Sequence, residues 1–95
     1  MALTDFQTKC EASLQALLTE QGRRLDARSI MGTTETYIRA RISGTDLTVY
    51  VYEDEAQIHG SGVTRRFEAP DYESSEELLR AFVAEIDRLV MRQPA

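Results

Sequence analysis

Cysteine and histidine are almost missing from this chain, which has one of each, Cys10 and His59. A lone cysteine forms no intrachain disulfide, and one Cys with one His falls short of a zinc ligand set. No run approaches the roughly 18 apolar residues of a membrane span. The start, Met1 to Gln7, lacks the basic and apolar regions of a signal peptide, so none is expected. Repeats, low-complexity tracts and interdomain linkers are also missing. A reducing cytoplasm is the expected setting.

What is present is ordinary for a globular protein: 95 residues, 42% hydrophobic and 28% charged. That length makes one domain, residues 1–95, able to bury roughly 60–70% of its unfolded surface around one core. The net charge of −5 aids solubility and opposes non-specific contact with nucleic acid or anionic lipid.

Two helices are legible. From about Asp5 to Gln21, Phe6, Cys10, Leu14, Leu17 and Leu18 form one apolar stripe. Thr4 and Gln7 have capping-box spacing, and Gly22 suits the helix end. Near the C-terminus, Leu78, Leu79, Phe82, Val83, Ile86, Leu89 and Val90 form a second stripe, entered through Ser74 and Glu77 as a capping box. Arg88 and Arg92 suit its negative end.

Between the helices the period changes to two. Residues 34–42 alternate Thr34, Thr36, Ile38, Ala40 and Ile42 with Glu35, Tyr37, Arg39 and Arg41. Leu47, Val49 and Val51 then alternate with Thr48, Tyr50 and Tyr52. A two-residue Gly44–Thr45 turn of type II′ sets Ile42 against Leu47, Ala40 against Val49 and Ile38 against Val51. Ala56–His59 makes a third strand and Val63–Glu68 a fourth. A Gly60–Ser61 loop places Val63 opposite Ile58 and turns Arg65 toward the core, so Arg65 sits at a sheet margin or a bulge flips it outward. Pro70 ends the sheet. Residues 23–31 read equally as a short strand or an extended connection. The expected fold is α+β: an N-terminal helix, an antiparallel meander of three to four strands and a C-terminal helix. Both helices pack on one sheet face in two layers.

Chemistry is sparse. Cys10 lies within a core stripe and reads as a small hydrophobe. His59 lies beside a turn with no evident catalytic partner. His59-Gly60-Ser61-Gly62 lacks the spacing of a nucleophile elbow and leads into a strand, as does its partial likeness to a dinucleotide fingerprint. Glu53, Asp54 and Glu55 are consecutive on a tight turn and point apart, unlike a calcium loop. No catalytic residue, metal or cofactor is expected. Two features suggest binding. Glu68, Asp71, Glu73, Glu76 and Glu77 form an acidic edge around Tyr72. Tyr37, Arg39, Arg41, Tyr50, Tyr52 and Arg66 fall on the sheet face away from the helices, and Tyr and Arg are enriched at interfaces.

Helix–meander–helix order in a small acidic chain is similar to that of bacterial accessory proteins such as secretion chaperones and toxin-immunity proteins, a likeness of element order. It implies an accessory, chaperone-like or inhibitor-like role. The expected function is thus a non-catalytic protein-binding module, acting through the Tyr/Arg face or the acidic edge. Single-stranded nucleic acid on the same face is the alternative, disfavoured by the negative charge. A homodimer is compatible with either, and no membrane is involved.

Overall fold

The computed structural model describes residues 3–60 and 62–92. In chain order these form α1 (Asp5–Glu20), β1 (Leu25–Met31), β2 (Thr36–Ile42), β3 (Thr48–Val51), β4 (Glu55–Gly60), β5 (Val63–Glu68), a short 3-10 turn (Ala69–Asp71) and α2 (Ser75–Met91). The strands make one antiparallel meander in the order β1-β2-β3-β4-β5. Five strands are thus described where three to four were expected. The addition is β1, which the sequence left open as a strand or a connection. Its alternation is blurred because Ser29 is polar on the helix side and Ile30 apolar on the other. No helix among the described residues is long and apolar enough to cross a membrane.

Both helices cover one face. α1 packs on β1, β2 and α2, while α2 packs on β5 and α1. Ile38, Ala40, Ile42, Leu47, Val49, Val51, Ala56 and Ile58 are buried beneath Cys10, Leu14, Leu18, Leu78, Phe82 and Ile86. Phe82 meets Phe67 edge-on at 5.7 Å between ring centres. In α1 the stripe is narrower than its apolar residues suggest. Phe6 and Leu17 are half-buried, whereas Gln7 is fully buried.

Gln7 closes the capping box with Thr4, as its spacing predicts. Its amide reaches further, donating from Nε2 to the carbonyls of Thr36 at 2.8 Å and Val51 at 3.1 Å. The start of α1 is thereby tied to β2 and β3. At α2, Ser74 Oγ accepts from Glu77 N as expected, but the Glu77 carboxylate accepts from Glu73 N rather than Ser74 N. The reciprocal half of that box is displaced by one residue.

The first hairpin has the expected register, with Ile38 against Val51, Arg39 against Tyr50, Ala40 against Val49 and Arg41 against Thr48. Its turn differs. Ile42 N donates to Leu47 O, so this pair closes the ladder and residues 43–46 form the loop. The tight turn centres on Ser43 and Gly44, with Gly44 at φ 73°, and Thr45 N returns to Ile42 O. Thr45 Oγ1 fixes the loop by donating to Ile42 O and accepting from Leu47 N. A longer loop of matching parity changes the hydrogen-bond phase without moving a side chain to the other face.

In the second hairpin Val63 pairs with Gly60 and Arg65 with Ile58, so the expected Val63–Ile58 pairing is displaced. The turn residue Ser61 lies outside the described residues. Face parity is preserved, and Arg65 does point to the helix side. It sits on the margin of the sheet, because β5 is an edge strand, and its Nε meets Glu85 of α2 at 3.2 Å. No bulge is needed to place it.

Candidate binding face

Alternation fixes what lies on the sheet face opposite the helices. One cross-strand row runs Asp26, Arg41, Thr48, His59, Thr64. The next runs Arg28, Arg39, Tyr50, Gln57, Arg66. Ile30 with Tyr37, and Glu55 with Glu68, lie in a third row, and Tyr52 follows β3 on the same side. Every residue named from the sequence for this face is therefore on it.

The tyrosines form one cluster. Tyr37 lies 5.0 Å from Tyr52 and 6.4 Å from Tyr50 between ring centres, and Tyr50 stacks on Tyr52 at 6.4 Å. All three are half-buried. Partial burial, then the neighbouring Tyr37 and Glu55, push the Tyr52 hydroxyl pKa above its ordinary value, so it stays protonated. His59 meets Tyr50 edge-on at 5.4 Å, and its Nε2 shares a 2.9 Å hydrogen bond with Gln57 Oε1.

The arginines divide into two groups. Arg66 is engaged, with Nε 2.9 Å from Glu55 and Nη2 3.0 Å from Glu68. Burial opposes the charge on Glu55, but hydrogen bonds from Arg66 and Gln57 outweigh it and hold the carboxyl below its ordinary range. Arg66 thus closes its own edge of the face. Arg28, Arg39 and Arg41 are exposed and form no ion pair with any described residue. They line a shallow groove of about 220 Å³ with Asp26 and Ile30. Arg28 was missed from sequence because residues 23–31 did not declare themselves a strand. The sequence marks His59 only as a residue beside a turn, whereas its parity with Gln57 places it beside Tyr50.

The acidic edge is assembled from more segments than the sequence suggests. Ala69 N donates to Asp54 O, joining the β3–β4 turn to the approach of α2. Glu53, Asp54, Glu73 and Tyr72 then share a groove of about 280 Å³ with Phe6. Glu35 adds its carboxylate by accepting from Glu53 N at 3.2 Å. Glu68 is drawn off to Arg66.

Cys10 is fully buried on the sheet-facing side of α1, and burial pushes its thiol pKa up to about 12. His59 lies on the opposite face of the sheet, so these two groups do not meet. Among the described residues no three His, Cys, Asp or Glu side chains are placed to hold a metal ion. Comparisons with protein-family models, curated proteins and solved structures give no match.

Proposed function

We propose that the protein is a non-catalytic binding module that engages another protein through its outer sheet face. The observation that carries this reading is the pairing of a packed tyrosine cluster with Arg39 and Arg41, which form no ion pair with any described residue. Rigid aromatic rings offer contact area at little entropic cost, and free guanidinium groups supply directional donors. The acidic edge at Glu35, Glu53, Asp54 and Glu73 gives a second, oppositely charged contact for the same partner. A cytoplasmic accessory role, chaperone-like or inhibitor-like, fits a small acidic chain of this kind.

Single-stranded nucleic acid is the second reading, favoured by the tyrosine platform. Three free arginines neutralise few phosphates. The salt dependence expected from them has a slope of only about −2, and affinity falls accordingly. Fluorescence anisotropy with single-stranded DNA and RNA at about 150 mM salt separates the readings. Little or no binding is expected. Micromolar binding that is lost in both Tyr50→Ala and Arg39→Ala would replace the protein-binding reading with the nucleic-acid one.

A further inference from the structure

The two edges of the sheet are built differently. β5 carries Arg65 on its helix side, tied to Glu85, and an inward-pointing charge is a common guard against strand addition. β1 has no such guard. Its helix-side residues are Leu25, Ala27, Ser29 and Met31, none charged, and it pairs with β2 without interruption over seven residues. Met31 is 78% exposed at its end. We propose that β1 pairs with β1 of a second copy of this chain, antiparallel about a two-fold axis at Ala27, making one continuous sheet across the dimer.

The ladder phase determines which groups are free. Ser43 N donates to Arg24 O and Gly32 N to Glu35 O, one bond at each end of the β1–β2 pairing. Both place the even-numbered residues of β1 in hydrogen bonding with β2. Antiparallel alternation then directs the N–H and C=O groups of Leu25, Ala27, Ser29 and Met31 to the open edge. A second β1 must set odd residues against odd. Centring on Asp26 or Arg28 places that charge against itself, and centring on Ser29 pairs neither charge with its opposite. Centring on Ala27 sets Asp26 against the second copy's Arg28, twice by symmetry. These fall at the close, non-hydrogen-bonded sites, while Leu25, Ala27 and Ser29 supply roughly six backbone bonds.

The register also answers a problem within one chain. Arg28 lies directly across from Arg39, and like charges so placed repel. In the dimer, Asp26 of the second copy comes to the open side of Arg28 and offsets that repulsion. Arg39, Arg41 and the tyrosines stay uncovered, so this contact stands or falls apart from the proposed partner-binding face.

Charge exchange with sedimentation velocity over a concentration series tests it. Wild type should dimerise reversibly, and Asp26→Arg and Arg28→Asp should each weaken dimerisation about tenfold or more. An equimolar mixture of the two variants should associate again, as should the double exchange D26R/R28D, since both restore opposite charges. Hydrogen exchange of wild type should show the Ala27 and Ser29 amides becoming protected as concentration rises. A chain that stays monomeric at millimolar concentration would overturn the proposal. So would a dimer indifferent to both single exchanges, or one whose Ala27 and Ser29 amides exchange freely.

Discussion

Gln7 shows how much one side chain carries in this fold. Its carbonyl accepts from Thr4 N at the start of α1, and its amide donates to two buried strand carbonyls, those of Thr36 and Val51. Gln7→Ala removes two buried hydrogen bonds and leaves a cavity, so it should destabilise by about 2–3 kcal/mol in urea melts. Gln7→Glu is the sharper variant. It keeps the acceptor for the cap but sets a carboxylate against Thr36 O and Val51 O. Burial and those carbonyls raise the folded-state pKa of the new acid, so its destabilisation should grow as pH rises through neutral and shrink in acid. Equal stability of Gln7→Glu and wild type at neutral pH would contradict the bond assignment. The sequence revealed the cap because its spacing is local, but not the burial, which depends on strands 29 and 44 residues away.

Glu85 gives the natural pH dependence. Hydrogen bonds from Arg88 first, then from Arg65, hold its carboxyl below the ordinary carboxylate range despite partial burial. The unfolded chain therefore binds a proton at this site more readily than the folded one. The stabilisation is complete above the ordinary carboxylate pKa and is lost as pH falls through the folded value. Thermal melts of Glu85→Gln should show a weaker loss of Tm than wild type between about pH 6 and pH 3. Parallel pH curves for the two proteins would remove Glu85 from the account.

Among the elements, α2 was the most legible, because seven apolar residues at helical spacing leave one way to place it. Phe82 is wholly buried at its centre, so Phe82→Ala should cost about 3–5 kcal/mol. A loss under about 1 kcal/mol in urea melts would place Phe82 outside the core. The strands were legible where one face is apolar, as in β2 and β3, and obscure in β1, whose helix-side Ser29 breaks the alternation. The turns were legible in location but not in type. Glycine marks where the chain reverses, whereas hydrogen-bond phase depends on side chains such as Thr45. Gly60 shows the other constraint on turns. Its φ is 129°, and a Cβ there meets the Asp46 backbone. Gly60→Ala should therefore cost roughly 1–3 kcal/mol, through both strain and collision. An unchanged melting curve would show that the turn relaxes without penalty.

For the whole molecule, the two-layer arrangement follows from one apolar sheet face and two amphipathic helices. The make-up of the outer sheet face was legible for the same reason in reverse. Once parity assigned Ile38, Ala40, Val49 and Val51 to the core, Tyr37, Arg39, Arg41 and Tyr50 had to face outward. What parity does not disclose is which arginines are already engaged. Arg66 is bound to Glu55 and Glu68, while Arg39 and Arg41 have no such partner among the described residues. The most direct measurement uses that distinction. A partner captured from the native host and purified is titrated by calorimetry against wild type, the double variant Tyr50→Ala/Arg39→Ala, and Arg66→Ala. Binding through the free part of the face predicts a loss of at least about 2 kcal/mol for the double variant and little change for Arg66→Ala. Undiminished affinity in the double variant would contradict the assignment of this face.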